Sequence, residues 1–106
     1  MKQINEKVFR EIIKWLEKKF SLYPFVEELY LIGSSLEKSE INDIDIVQKV
    51  NLNSTKEIQE FAQKLISLEQ EFLYRFNLPL HITSFLEKDN NNFIKFMSLN
   101  KSKKII

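Results

Sequence analysis

Apolar positions recur along the chain with two different spacings, one typical of helices and one typical of strands. Over residues 3–20 they lie mostly three or four apart with Lys and Glu between them, which predicts an amphipathic helix; they are Ile4, Val8, Ile12, Trp15, Leu16 and Phe20. Tyr23-Pro24 would end this helix, because the residue before a proline disfavours helical backbone angles. After candidate N-cap residues at 53–55, the same spacing predicts a long second helix, with apolar positions at Ile58, Phe61, Ala62, Leu65, Leu68, Phe72 and Phe76. A short last helix is indicated by Phe93, Ile94 and Met97.

Three further segments have the composition of strands. Val26–Ile32 is rich in β-branched, aromatic and aliphatic residues and is followed by Gly33, the only glycine of the chain. A second strand is predicted over 43–50. A third spans 79–85, with a proline at its first position, where a missing N–H donor is tolerated. The polar residues 34–42, between the first two strands, are expected to form a loop.

The order helix, strand, strand, helix, strand, helix predicts a small fold of the α/β or α+β class. We expect a short mixed sheet that is covered by helices on one face, which leaves the other face open for chemistry. The length of 106 residues suits one domain, so residues 1–106 are predicted to form a single unit. The last residues are basic, and 98–106 are expected to form a frayed tail.

Composition excludes several classes of function. The chain has no Cys, which excludes a disulfide scaffold and a thiolate metal site. With 16 Lys and Arg against 15 Asp and Glu, the net charge of +1 provides no general attraction to nucleic acid or to an anionic membrane. No stretch is apolar for long enough to form a signal peptide or to cross a bilayer. We therefore expect a cytoplasmic protein that neither contacts membranes nor binds nucleic acid directly.

The second strand carries two carboxylates that share one face. Asp43 and Asp45 alternate with apolar residues, so both project from the same side of the sheet. Like charges at that distance repel, whereas Mg²⁺ prefers hard oxygen ligands and often binds one or two carboxylates together with water and substrate phosphates. Gly33-Ser34, at the end of the preceding strand, would let backbone and hydroxyl donors approach a phosphate closely. Taken alone, an Asp-x-Asp triplet also fits an ordinary half-exposed strand, and a Gly-Ser pair also fits an ordinary turn.

The combined pattern resembles a known family. Residues 31–34 (LIGS), a short loop and residues 43–46 (DIDI) are similar to the signature of minimal nucleotidyltransferase domains, which belong to the polymerase-β-like superfamily. The predicted order of helices and strands over roughly residues 3–97 resembles that fold as well.

This resemblance implies roles for particular residues. Gly33 and Ser34 would hold the triphosphate of ATP or another nucleoside triphosphate, and Ser35 would add a hydroxyl to the same loop. Asp43 and Asp45 would bind one or two Mg²⁺ or Mn²⁺ ions, which align the attacking hydroxyl for displacement of pyrophosphate.

The third strand departs from the family pattern. The family usually places a third carboxylate there, but residues 80–85 (LHITSF) contain no Asp or Glu. If Ile82 packs inward like Ile44 and Ile46, the candidates on the face that the carboxylates share are His81 and Thr83. His81 would act as the base for the attacking hydroxyl, since histidine titrates near neutrality, or it is a strand histidine that a neighbouring group satisfies. Glu87 and Asp89 follow this strand, and nothing in the sequence positions them at the site.

Three hypotheses about function follow. The resemblance implies an enzyme that transfers a nucleoside monophosphate, AMP from ATP, to a hydroxyl of a protein or small molecule. Short stand-alone members of the family commonly serve as antitoxins of helical ribonuclease-type toxins, so it implies a helical toxin-type protein as the partner. The missing third carboxylate motivates the alternative of a weakened or inactive module that binds a nucleotide or a partner protein. In the third hypothesis the pattern is coincidental and the chain is a generic α/β domain.

Overall fold

The structure is a computed structural model that describes residues 2–3, 5–33, 36 and 40–106. Within this part of the chain the helices are α1 (Glu6–Phe20), α2 (Thr55–Phe76) and α3 (Asn90–Ser98). The strands are β1 (Lys2–Gln3), β2 (Val26–Ile32), β3 (Glu40–Ile41), β4 (Ile44–Val50), β5 (Leu80–Leu86) and β6 (Ser102–Lys104), and a 3₁₀ turn (Glu87–Asp89) precedes α3. The predicted mixed class is confirmed. The short strands β1, β3 and β6 were not expected, because two or three residues are too few to show an alternating pattern.

The longer strands and β6 form one mixed sheet in the order β5-β4-β2-β6. β4 is antiparallel to β2 and parallel to β5, and β6 is antiparallel to β2. Parallel neighbours need a crossover connection, which α2 provides between β4 and β5. β1 and β3 form a separate antiparallel ladder.

Side-chain caps set the ends of the two long helices. Asn5 caps α1, where its side chain accepts a hydrogen bond from the N–H of Val8 at 2.9 Å. Ser54 caps α2 by accepting from the N–H of Glu57 at 3.1 Å, and its hydroxyl donates to the Glu57 carboxylate at 3.0 Å. α2 ends at Asn77, whose φ of 55° is in the left-handed region where helices commonly stop. The N-cap predicted over 53–55 is therefore confirmed at its middle residue.

α1 and α2 pack on one face of the sheet and form the main core with it. The indole of Trp15 in α1 meets the rings of Phe72 and Phe76 in α2 edge-on, with centroid distances of 5.3 and 6.2 Å. The sheet contributes buried side chains from three strands: Leu29, Leu31, Ile44, Ile46 and Leu80. Because side chains alternate along a strand, the residues between these point to the opposite face of the sheet.

That opposite face is not left entirely open. The prediction of helices on one face holds for α1 and α2 and is wrong for α3, which packs on the other side. There Phe93 of α3 is buried with Ile32 and Val47 in a second apolar cluster, and its ring lies 5.7 Å from that of Phe85. Three strands each place an apolar side chain on this face, and α3 removes them from water. One end of the face stays accessible, the end at which β4 begins.

The C-terminal tail also differs from the prediction. Residues 98–106 were expected to fray, but Ser102–Lys104 pair with β2 as an edge strand. The N–H of Ile105 donates to the carbonyl of Leu29 at 2.7 Å, and the N–H of Leu29 donates to the carbonyl of Ile106 at 3.1 Å. Both terminal isoleucines pack against the main core. Their burial and these backbone hydrogen bonds hold a segment whose lysines alone suggested a solvated end.

Candidate functional site

Three side chains singled out from the sequence lie together where β4 begins. Asp45 in β4 is in register with His81 in the parallel strand β5. Nδ1 of His81 is 3.2 Å from Oδ2 of Asp43 and 3.3 Å from Oδ1 of Asp45. One ligand atom from each residue falls within 4.8 Å of the other two. We call Asp43, Asp45 and His81 the carboxylate–histidine cluster.

Local backbone structure explains why these side chains converge. Ile44 is buried under the helices, so Asp45, the next residue of β4, points to the opposite face. The N–H of Ile44 donates to the carbonyl of Pro79 at 2.9 Å and so joins the start of β4 to the residue before β5. This hydrogen bond belongs to the register that brings His81 beside Asp45.

Gly33 brings backbone against the same carboxylate. It follows β2, whose last residue Ile32 is in register with Asp45. Its φ of +88° favours glycine, and a Cβ at this position would lie 3.2 Å from Oδ2 of Asp45. The turn therefore favours glycine, and any larger residue would also need the Asp45 carboxylate to shift by a few tenths of an ångström. The backbone here adjoins any group that Asp45 binds.

Charge in this cluster is costly without a counterion. Burial raises the pKa of Asp45 above its ordinary value of 3.8, and the neighbouring Asp43 carboxylate raises it further. His81 opposes this shift in part. A bound cation would relieve the repulsion between the two carboxylates.

The donor set fits a divalent cation. Two carboxylates suit Mg²⁺ and similar hard ions, whereas imidazole nitrogen suits softer transition metals better. The His81 side chain is 61% exposed, which gives it freedom to approach an ion or to move aside. The accessible side of the cluster leaves space for further oxygen ligands, such as those of a phosphate.

The predicted site residues have different outcomes. Ser34 and Ser35 lie outside the described residues, so their contribution stays a prediction. Glu87 and Asp89 lie beyond the end of β5 that is opposite to His81, and the fold does not bring them to the cluster. The structure brings together Gly33, Asp43, Asp45 and His81. Thr83 is in register with Val47, two residues beyond Asp45, and is not part of the cluster.

Sequence reasoning missed the apolar wall beside this cluster. Phe93 of α3 covers Ile32 and Val47, and these two residues adjoin Asp45 across and along the sheet. Apolar residues on the same alternating face as Asp45 were a signal that this face needed cover. The site is therefore a polar corner bounded by α3 rather than part of a wide open sheet.

No protein-family model, no curated protein and no solved structure matches this chain. In the described ranges, no helix combines the length and the apolar character that crossing a lipid bilayer requires. The chemistry of the site is therefore inferred from its own side chains and their geometry.

Proposed function

We propose that this chain is a metal-dependent nucleotidyltransferase that transfers AMP from ATP to a hydroxyl of a partner protein. The observation that carries this proposal is the carboxylate–histidine cluster packed against the backbone of Gly33. Two carboxylates that repel each other at an accessible corner suit a cation, and a glycine turn beside them suits a phosphate. Because these two features lie side by side, we propose a nucleoside triphosphate as the ligand.

The reaction needs one bond to form and one to break. The acceptor hydroxyl oxygen bonds to the α-phosphorus of ATP, the bond from that phosphorus to the bridging oxygen breaks, and pyrophosphate leaves. Asp43 and Asp45 would hold Mg²⁺ or Mn²⁺, and Gly33, with Ser34 and Ser35, would bind the triphosphate. When bound, the ion would neutralise phosphate charge and lower the free-energy cost of aligning the attacking hydroxyl oxygen with the leaving pyrophosphate oxygen.

His81 would take the proton of the acceptor hydroxyl. It occupies the third-strand position beside Asp45, and its side chain is exposed enough to reach a bound substrate. An unprotonated imidazole nitrogen is a stronger base than a carboxylate, so it would accept this proton more readily. We propose that a helical toxin-type protein in the cytoplasm supplies the hydroxyl, with this chain acting as its antitoxin.

A second function is favoured by one specific contact. His81 lies within 3.3 Å of both carboxylates, so a protonated imidazole would neutralise part of the charge that attracts a metal ion. A chain with this arrangement would bind a nucleotide or a partner protein without turning over. The two functions differ in whether a covalent product forms.

The test is transfer of label from ATP that carries radioactive α-phosphate. The chain is incubated with Mg²⁺ and the protein encoded beside it, and label on that protein is measured. We expect transfer by wild type, none by Asp43→Asn, and unchanged transfer by Glu87→Gln, a matched change far from the cluster. No label on the partner contradicts transfer, and equal label with wild type and Asp43→Asn contradicts transfer at this cluster. In that case thermal stabilisation by ATP would identify a nucleotide-binding module, and no thermal shift under any condition would favour a module that binds only a partner protein.

A further inference from the structure

The two edges of the sheet are protected very differently. β6, at one edge, is three residues long, and two of these residues are lysines. A short edge strand and exposed lysines are both common means of blocking edge-to-edge pairing. β5, at the other edge, has seven residues, and 82–86 contain no charge and no proline. In the described part of the chain, β4 is the one strand that pairs with β5. The outer edge of β5 therefore offers unblocked backbone donors and acceptors to another strand.

An apolar stripe on α2 runs above this edge. Ile58, Ile66 and Leu73 are 38%, 49% and 49% exposed, although the sequence pattern predicted Ile58 on the buried face. At 100° per residue these three positions fall within a quarter of the helix circumference. The neighbouring Ala62 was also predicted on the buried face and is exposed.

The flank of α2 that carries this stripe is the one over β5. α1 contacts the other flank, where Lys19 pairs with Glu71 and Trp15 meets Phe72. Ile58 and Leu86 line the same surface cleft, so the start of α2 lies above the end of β5. The stripe and the free strand edge consequently form one continuous side of the molecule.

We infer that this side is the interface of a homodimer in which β5 pairs with β5 of a second copy, antiparallel, about a two-fold axis through Thr83. The carbonyl of Pro79 accepts a hydrogen bond from the N–H of Ile44, so every second residue from 79 onward directs its backbone N–H and carbonyl towards β4. Ile82 and Ser84 are the residues between, and their backbone groups point away from β4 to the free edge. When the antiparallel pairing is centred on Thr83, Ile82 of one copy lies opposite Ser84 of the other. Each of these two residues donates its N–H to the carbonyl of the other. The strand is thus complementary to itself.

The helix stripe is self-complementary about the same axis. Its middle residue, Ile66, lies over the middle of β5, because α2 runs antiparallel to β5 and their ends meet at residues 77–79. The axis places Ile66 near Ile66 of the second copy, and it places Ile58 opposite Leu73 of the second copy. Coincidence of the two centres favours a second copy over an unrelated partner, which would need complementary spacing in both layers.

Charge and area are compatible with this dimer. The strand segment is uncharged, and Glu69, the charged residue within the stripe, lies about one helical turn from the axis, so the two copies of Glu69 are kept apart. A helix of 22 residues is about 33 Å long, and a helix about 10 Å wide packed roughly 10 Å above the sheet makes the side about 20 Å deep, so at most roughly 650 Å² per copy is available, somewhat below the standard area. Standard interfaces bury about 800 Å² per partner. Both candidate sites would lie on the same face of the joined sheet, and the dimer does not depend on the proposed nucleotidyl transfer.

The experiment is sedimentation equilibrium of the full chain and of variants with opposite charges on the axis. Wild type is expected to be a dimer, whereas Ile66→Lys and Ile66→Glu should each weaken association by at least about 100-fold through self-repulsion. An equal mixture of the two variants should associate again, because the charges then attract across the axis. Leu22→Lys replaces an apolar residue that is 70% exposed outside α2 and β5, and it should remain dimeric.

Each result is decisive when circular dichroism confirms that the variants are folded. Monomeric wild type at every soluble concentration overturns the inference. If the Ile66 variants are dimeric, Ile66 does not lie in the interface and the inference is overturned. A mixture of the two variants that stays monomeric excludes a two-fold axis at Ile66. Thr83→Lys tests the strand layer separately: it places like charges directly opposite each other and should give a monomer, and a dimer would overturn the pairing of β5 with itself.

Discussion

At the scale of single residues, the backbone conformation of Gly33 places this residue against the charged side chain of Asp45. The glycine has a φ of +88°, and the space in which its side chain would lie is next to the Asp45 carboxylate. Alternation in the sequence was enough to predict that Asp43 and Asp45 share a face, and it placed His81 there on the condition that Ile82 packs inward. The 3.2 and 3.3 Å contacts of His81 could not be predicted, because they depend on the register of β4 against β5.

Replacement of Gly33 by alanine should affect both stability and binding. Gly33→Ala is expected to lower the free energy of unfolding by about 1–3 kcal/mol, because alanine at this φ is strained. The added methyl also crowds Oδ2 of Asp45, so Mn²⁺ affinity should fall. Urea denaturation and metal titration measure the two effects. Asn77→Ala is the control: it too places alanine in the left-handed region, at a residue outside the cluster, and should leave metal affinity unchanged.

Ionised Asp45 should destabilise the fold in the absence of metal. Its pKa in the folded state is raised by burial and by Asp43, so at neutral pH the charged form lowers the free energy of unfolding. As pH falls through the raised folded pKa towards the unfolded value near 3.8, the folded state takes up the proton first and this cost disappears. Asp45→Asn should therefore raise Tm by a few degrees near neutrality, with a smaller gain at acid pH.

Thermal melts in EDTA from about pH 4 to about pH 8 test this dependence on Asp45. Glu87→Gln controls for loss of an exposed carboxylate outside the cluster. A variant Asp45→Asn that is less stable than wild type at neutral pH would show that its contacts to His81 outweigh burial and repulsion.

At the scale of secondary-structure elements, the long segments followed their sequence patterns and the short ones did not. The strand Val26–Ile32 was predicted with the bounds that the structure has. β6 was missed because a three-residue edge strand has no pattern of its own and depends on tertiary contacts to β2. α3 was predicted to exist, but its position on the second face depends on where Phe93 finds apolar neighbours.

Removal of residues 101–106 should expose the edge of β2. We expect a loss of about 2–4 kcal/mol in the free energy of unfolding, from burial of Ile105 and Ile106 and from their backbone hydrogen bonds. The Leu29 amide should exchange faster with solvent, because its acceptor on Ile106 is gone. Lys103→Ala, an exposed change within β6, should preserve the protection of Leu29. Unchanged exchange in the truncated chain would mean that the tail is frayed.

At the scale of the whole molecule, helices on both faces leave the carboxylate–histidine cluster as an accessible polar corner. α1 and α2 bury one face, and α3 buries the middle of the other, where Val47 is fully buried. The repulsion retained at this corner lowers stability in the empty state. A cation that binds there should consequently stabilise the entire fold, because it binds the folded chain in preference to the unfolded one.

Metal-induced stabilisation should therefore depend on pH in the opposite direction to the contribution that Asp45 makes to the stability of the metal-free chain. A divalent ion at about 100 times its Kd adds about 2.7 kcal/mol, which is about 10 °C in Tm for a domain of this size. The ion requires ionised carboxylates, so the proton that Asp45 binds with raised pKa competes with it, and the gain shrinks as pH falls. Melts of wild type with Mn²⁺ and with EDTA should converge in acid, whereas those of Asp43→Asn should coincide at every pH. A metal-dependent gain that survives in Asp43→Asn would place the ion elsewhere, and no gain in wild type at neutral pH would exclude the metal centre.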